Sequence, residues 1–307
     1  MSTTISGGLA ALSTELAQAV ASAGPSIAYV DAHPRRDASG IAWDAHHLVT
    51  VDHAIDREDD IEILLADGAK ATATLVGRDA STDVALLRTE ATLAPLARAT
   101  LAELAVGHIV LALGRDEDGA PGASFGIVSS LDGPWRTWRG GDVDRFIRPD
   151  LNVYPSFSGG ALVDTGGQLV GMNTWGLSRR TALTLPVTTL ERIVSALLSG
   201  KRITRGYLGL AMHSVRLPET LRAKIGRDQE AAAIAVDVAA GGPAEKAGVV
   251  IGDVIFALGS SAIEDSDDLQ RVLGADSVGA TRTLHVFRGG EIRELPITIG
   301  ARPGDDD

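Results

Sequence analysis

From Ile27 onward the chain is built of short apolar runs rich in β-branched residues: 27–30, 40–43, 47–51, 61–65 and 71–76, then 108–113, 124–131, 145–147, 161–163, 168–174 and 181–185. Runs this short suit strands and not helices, and turn signals such as Asp67-Gly68 fall between them. Many short strands at regular spacing predict a closed, mostly β barrel architecture, in two groups separated near Pro95 to Gly107. The 35 glycines fit that reading, because tight turns need residues that tolerate unusual backbone angles. Two stretches break the pattern. Leu9, Leu12, Leu16, Ala19 and Val20 recur at helical spacing before Gly24-Pro25, and residues 189–198 form an amphipathic helix closed by Gly200. The first helix is expected to pack on the barrels, with an oligomer contact as the alternative for its apolar stripe.

With 307 residues, 45% hydrophobic and 22% charged, the chain has material for two cores. No cysteine is present, which excludes disulfides, thiol catalysis and Cys-based zinc sites. His33, His46, His47, His108, His213 and His285 are scattered without ligand spacing, so no metal and no cofactor is expected. A net charge of −12 opposes binding to nucleic acid or anionic lipid. The basic pairs Arg35-Arg36, Arg179-Arg180 and Lys201-Arg202 are read as solvated. No apolar run approaches the roughly 18–20 residues that span a bilayer. Residues 1–6 lack Lys and Arg, and Glu15 and Gln18 interrupt the apolar stretch from Leu9 to Val20, a poor match to a secretion signal. A cytoplasmic location is therefore expected, with periplasmic or secreted as the alternative.

The composition shifts again after residue 200. A linker at 201–205 leads to Tyr207-Leu208-Gly209-Leu210, then to the run Gly242-Pro243-Ala244-Glu245-Lys246-Ala247-Gly248 ahead of Gly252-Asp253-Val254-Ile255. Asp265-Ser266 caps a helix over 267–273, and strands 283–288 and 292–298 meet across Gly289-Gly290. The expected organisation is a helical extension (1–24), a double barrel (25–200), a smaller β domain (201–300) and an acidic tail (301–307).

The chemistry gathers around Ser156-Phe157-Ser158-Gly159-Gly160. A serine before two glycines can sit on a tight turn with its hydroxyl exposed, although alone such a cluster is more often an ordinary turn. Upstream, His53 follows an apolar strand and Asp83 stands at the mouth of another. The order His, Asp, Ser is one in which triad chemistry recurs. An imidazole can take the serine proton near neutral pH, and a buried carboxylate can fix its tautomer.

Five stretches carry a family resemblance: V-T-V-D-H-A-I, V-G-R-D-A-S-T-D-V-A-L-L-R, S-G-G-A-L-V-D-T-G-G-Q-L-V-G-M-N-T, Y-L-G-L and G-P-A-E-K-A-G-V-V-I-G-D-V-I. In this order they resemble the HtrA (DegP-like) family, trypsin-fold serine proteases with a C-terminal PDZ domain. The resemblance implies a chymotrypsin/trypsin-like double β-barrel followed by PDZ, with Ser158 as nucleophile, His53 as general base and Asp83 as its orienting partner. It implies an oxyanion hole from the N–H groups of Ser156 and Ser158, and a primary pocket lined by Val153, Thr174 and Trp175. Trp175 also reads as a rim residue. A valine wall without a carboxylate implies small or medium apolar side chains there. In the PDZ unit, Tyr207, Leu208, Gly209 and Leu210 would offer backbone N–H groups to a peptide carboxylate, and Leu208, Leu210, Leu269 and Leu273 would line its side-chain pocket. The implied partners are polypeptide substrates and C-terminal peptides, with a homo-oligomer, a trimer, as the family pattern. The implied activity is endopeptidase cleavage of unfolded or exposed polypeptide in bacterial protein quality control. Two departures stand out. Ser156-Phe157 replaces the family's usual Gly-Asn before the nucleophile, and Asp52 replaces a small or amide residue before His53, where it could compete for the histidine's hydrogen bond. The first departure keeps a catalytically impaired, peptide-binding scaffold as the alternative function.

Overall fold

The structure is a computed structural model that describes residues 6–178, 181–200, 206–225, 229–274 and 277–301. Arg179-Arg180, the 201–205 linker and the 302–307 part of the tail lie outside the described residues. The chain divides into two compact units, Met1–Arg202 and Ile203–Asp307.

The first unit begins with helix α1 (Ser6–Ala23), whose end the one-turn helix Gly24–Ser26 diverts into strand β1 (Ile27–Asp31). Strands β2 (Ala38–Ala42), β3 (His47–Thr50), β4 (Ile61–Leu64), β5 (Lys70–Asp79) and β6 (Val84–Thr89) complete a closed barrel in the order β1-β2-β3-β6-β5-β4. Then come β7 (Ile109–Arg115), β8 (Pro121–Asp132), the short hairpin β9 (Trp135–Arg136) and β10 (Asp142–Val143), and β11 (Phe146–Asp150). After the nucleophile turn, β12 (Ala161–Val163), β13 (Leu169–Thr174) and β14 (Leu183–Pro186) close a second barrel, ordered β11-β14-β13-β12-β7-β8. Helix α2 (Val187–Leu198) follows. Ile27, Ile41, Leu48, Ile61, Ile63, Leu86 and Leu87 fill the first barrel, and Leu113, Ile147, Leu162, Leu169 and Met172 the second, all essentially solvent-free. Each such side chain contributes about 1.5–3 kcal/mol of burial. The span 133–144 contains the β9–β10 hairpin.

Helix α1 is fully covered only toward its end, with Leu12 and Leu16 half-buried. Ala19 and Ala23 are buried while Leu9 is exposed, and the Ala19 carbonyl lies against the turn at Gly167. A buried arginine ties the barrels together. Arg115 on β7 donates from Nε to the Ile27 carbonyl (2.7 Å), from Nη1 to Gly119 (2.6 Å) and from Nη2 to Gly24 (3.0 Å).

In the second unit, β15 (Gly206–Tyr207) and β16 (Leu210–Arg216) precede helix α3 (Glu219–Ile225), β17 (Ala231–Val238) and helix α4 (Pro243–Lys246). Strands β18 (Val254–Leu258) and β19 (Ser261–Ala262), helix α5 (Ser266–Val272), and β20 (Thr281–Arg288), β21 (Glu291–Thr298) and β22 (Gly300–Ala301) complete it. The main sheet runs β16-β17-β18-β20-β21, with β16 at an edge. The sequence had missed α3, α4 and β17. The alanine-rich β17 opens on three alanines, with Ile234, Val236 and Val238 the β-branched residues in its second half, and it is held as a strand by pairing on both sides.

Candidate active site and peptide groove

Strand β3 ends in a one-turn helix, Asp52–Ala54, that carries His53. Asp83 stands just before β6 with a left-handed backbone (φ 62°). Such a conformation costs a non-glycine residue about 1–3 kcal/mol and persists only where surroundings enforce it. Here the carboxylate of Asp79 supplies the enforcement, accepting from the Ser81 N–H (3.0 Å), the Thr82 hydroxyl (2.7 Å) and the Ser81 hydroxyl. Asp83 is fully buried and receives the backbone N–H of His53 at Oδ1 (3.0 Å). Its two oxygens lie 2.9 and 2.8 Å from His53 Nδ1. That contact puts the ring proton on Nδ1 and leaves Nε2 as an acceptor. Nε2 lies 3.5 Å from Ser158 Oγ, which also lies 3.4 Å from the Trp175 N–H. His53, Asp83 and Ser158 are therefore brought together as one line.

The serine turn is clamped from the first barrel. Ser39 on β2 donates its N–H to the Ser158 carbonyl (2.8 Å) and its hydroxyl to the Ser156 carbonyl (2.6 Å). Gly159 has φ 83°, and a Cβ there would fall 2.1 Å from the Ser39 carbonyl oxygen, so the turn admits only glycine. Phe157 is buried between Gly114 and Gly122, which face each other across β7 and β8. A Cβ on either glycine would sit 2.4 or 2.6 Å from the phenyl ring. Tyr154 caps the ring edge-on, with centroids 5.2 Å apart.

The expected oxyanion arrangement is not what this turn adopts. Pro155–Phe157 form one turn of 3-10 helix in which the Ser158 N–H donates to the Pro155 carbonyl (3.2 Å). In a trans peptide the N–H opposes the C=O. The Ser156 N–H thus points away from the Ser158 N–H, and the two do not converge on one point. Among the described residues only Asp60 and Asp83 have a left-handed non-glycine backbone, so Ser156 carries no such strain.

Val153, Pro155, Ser158, His53 and Trp175 line an open cleft of about 310 Å³, completed by Arg35, Arg36 and Asp37 from the β1–β2 loop. Trp175 is at its rim, 40% exposed, with Nε1 donating to the Val153 carbonyl (3.2 Å). Thr174, expected in the pocket wall, is instead fully buried behind the line and donates its hydroxyl to Asp83 Oδ2. Residues alternate across a strand, so Thr174 and Trp175 cannot both face the cleft. Asp52 does not compete for His53. Its carboxylate turns to Arg78, whose Nε lies 3.4 Å away, and neither atom makes a hydrogen bond. Burial pushes the Asp52 carboxyl up to about 6, against the pull of Arg78.

In the second unit the Leu208 carbonyl accepts from Ala244 (2.8 Å) and the Gly209 carbonyl from Ala239 (2.9 Å). The N–H groups of Gly209 and Leu210 consequently point the opposite way, beside the free edge of β16. Leu208, Leu269 and Leu273 are buried in this unit's core, with Leu210 packed against it and only partly covered, so the expected leucine pocket is largely core. Tyr207 pairs with Gly300, joining the unit's two ends. Asp253 is fully buried and gripped by Arg288 through two 2.7 Å bonds, and it also accepts the Val250 N–H (3.0 Å). Burial opposes its charge, but these bonds hold its carboxyl below the ordinary range.

Comparison with known proteins places this geometry. The family described as "Trypsin-like peptidase domain" matches residues 38–172, and "PDZ domain" matches 206–299. A "Probable periplasmic serine endoprotease DegP-like" of Pseudomonas putida (strain W619) is 32% identical over 266 residues, covering 85% of this chain and 54% of that protein. The solved "HtrA-type protease AlgW with decapeptide" is 25% identical with a TM-score of 0.68, covering 94% of this chain and 99% of the other. The serine endoprotease from Yersinia pestis is 26% identical at the same TM-score, with 94% and 98% covered. The chain belongs to the HtrA (DegP-like) family. It spans about half the length of the curated relatives it matches. The DegP-like relatives from Pseudomonas putida bear periplasmic names, which overturns the expected cytoplasmic location. No helix among the described residues is long and apolar enough to cross a membrane. Phe157, where the resemblance implies Asn, finds its place in the slot between Gly114 and Gly122.

Proposed function

We propose that this chain is a serine endopeptidase of protein quality control, acting on unfolded or exposed polypeptide through a Ser158 acyl-enzyme. The observation that carries the reading is the line from buried Asp83 through His53 to Ser158. His53 Nε2 takes the Ser158 proton as Oγ attacks the scissile carbonyl, then returns it to the departing amine. A water molecule, deprotonated by the same nitrogen, releases the acyl group. Asp83 stabilises the imidazolium formed in each half, held in place by Thr174. The tetrahedral oxyanion needs the N–H groups of Ser156 and Ser158, so catalysis requires the Pro155–Ser156 peptide to rotate. Val153 and Trp175 select apolar side chains. The PDZ unit docks polypeptide C-termini, with the carboxylate against the Gly209 and Leu210 N–H groups and the peptide added as a strand beside β16. The relatives' names support a periplasmic setting.

A second reading, a protease-fold scaffold that holds peptides without cutting them, is favoured by one feature: the Ser158 N–H is already spent on Pro155. A fluorophosphonate probe separates the two, because it reacts with an activated serine. Labelling of the wild type that vanishes in Ser158→Ala supports the protease. No labelling, even with a PDZ-binding peptide added, favours the scaffold.

A further inference from the structure

Between β1 and β2 the chain turns within Ala32–Asp37, and this short loop brings Arg35 and Arg36 into the lining of the cleft that contains His53 and Ser158. From sequence the pair looked like ordinary solvated charge. Its position gives it a task. Both residues are exposed, and among the described residues no carboxylate forms an ion pair with either. Arg36 spends one guanidinium nitrogen on the His53 carbonyl, which anchors the head group beside the histidine and leaves its other donors free. The backbone N–H of Arg35 bonds to His33 Nδ1 (3.1 Å), so the loop has a defined turn. Asp37, also in the lining, already accepts the Tyr29 hydroxyl (3.1 Å) and offsets only one of the two positive charges. The cleft rim is therefore net positive on a chain whose net charge is −12.

We infer that Arg35 and Arg36 are specificity-determining residues that favour substrates with Asp or Glu just beyond the cleaved bond. This rests on the endopeptidase reading above. The side follows from the chemistry: His53 must protonate the departing amine, so the leaving half of the polypeptide lies toward His53, and Arg36 is fastened to the backbone of that residue. The acyl half lies by Val153 and Trp175. An acidic side chain on the leaving half meets guanidinium groups able to bond it in two-pronged fashion, whereas a lysine there is repelled.

The test uses fluorescent peptides, amidated at the C-terminus so that the PDZ groove has no carboxylate to hold. They share a valine before the bond and carry Glu, Gln or Lys at the positions after it. Binding is measured to the full chain bearing Ser158→Ala, and cleavage with the wild type. Glu peptides are expected to bind about five- to tenfold tighter than Gln peptides at low salt, as suits two partly exposed ion pairs. The margin should shrink in high salt and vanish in Arg35→Gln/Arg36→Gln. Arg35→Glu alone, at an exposed side chain, should turn the preference toward Lys. Equal binding of Glu and Gln peptides, or a margin that survives the double substitution, overturns the inference. Charge-selective binding without wild-type cleavage would retire the protease and keep the charge preference. Cleavage without charge discrimination would do the reverse.

Discussion

Asp52, next to the candidate base, should destabilise the first unit whenever it is ionised, and Asp52→Asn should relieve that. Two effects of opposite sign meet at this carboxylate. Arg78 attracts it, but from 3.4 Å and without a hydrogen bond, while burial in an 8% exposed site strips its water. Asp83 and Asp79 add repulsion, and Arg139 a little relief. The net result is a carboxyl pushed up to about 6, so desolvation wins. The unfolded chain ionises Asp52 near pH 4, the folded chain only near pH 6. Over that window the unfolded state gains charge first, and stability falls as pH rises. A displacement of about two units at 1.36 kcal/mol each is worth about 3 kcal/mol, complete above pH 6 and absent below the unfolded value. Asn keeps the shape and cannot ionise. Thermal unfolding of wild type and Asp52→Asn should coincide near pH 4. Near pH 7.5 the variant should melt higher, by about 6–12 °C for a unit of this size. If attraction to Arg78 instead outweighed burial, removing one partner would cost about 3–5 kcal/mol. A variant less stable than wild type at pH 7.5, or a difference independent of pH, refutes the reasoning.

Arg288→Ala should behave oppositely, because Asp253 is met by two short bonds where Asp52 has none. Leaving that buried charge unpaired should cost the PDZ unit about 3–5 kcal/mol at neutral pH, read by chemical denaturation of the full chain. The wild-type contribution should be lost only as pH falls through the depressed Asp253 value. Ser156→Gly should speed fluorophosphonate labelling of Ser158 by about tenfold or more, since glycine removes about 1–3 kcal/mol from a turn that needs a left-handed backbone. An unchanged rate would mean that the turn does not limit reactivity.

Much of the architecture was readable because it is written in local patterns. Strand-length runs, Asp-Gly turns and the helix stops report on a few neighbouring residues each, and the five family stretches carried His53, Asp83 and Ser158 into one line. What stayed hidden depends on register. The role of Thr174 follows from which face of β13 it occupies, one residue from Trp175. The home of Phe157 exists because Gly114 pairs with Gly122, and nothing near residue 157 announces that. Asp253 stood out in Gly-Asp-Val-Ile, but its partner Arg288 lies a whole strand pair later. Arg35-Arg36 looked solvated because the length of a loop, not its composition, decides what it overhangs. The location expectation was drawn from the first twenty residues, of which those from Ser6 onward lie in α1.

The candidate site lies where β2 of one barrel meets the serine turn of the other, and its rigidity is unevenly shared between them. His53 and Asp83 come from the first barrel and are fixed by buried carboxylate and hydroxyl bonds that leave little freedom. Ser158 is fixed at its carbonyl and at Gly159, both pressed on Ser39. The residues just before it are held by less. Rotating the Pro155–Ser156 peptide breaks the bond between Ser158 N–H and Pro155, worth about 1 kcal/mol net, and moves Ser156 toward a backbone costing about 1–3 kcal/mol. Phe157 can remain in its slot meanwhile, because the rotating peptide lies on the far side of Ser156. A total of about 2–4 kcal/mol corresponds to a competent fraction of roughly one molecule in thirty to one in a thousand. That deficit lies within what a peptide seated in the cleft can supply through its own contacts. The same turn therefore accounts for both readings of this chain: a site assembled by its substrate if cleft binding meets the deficit, and a scaffold if it does not.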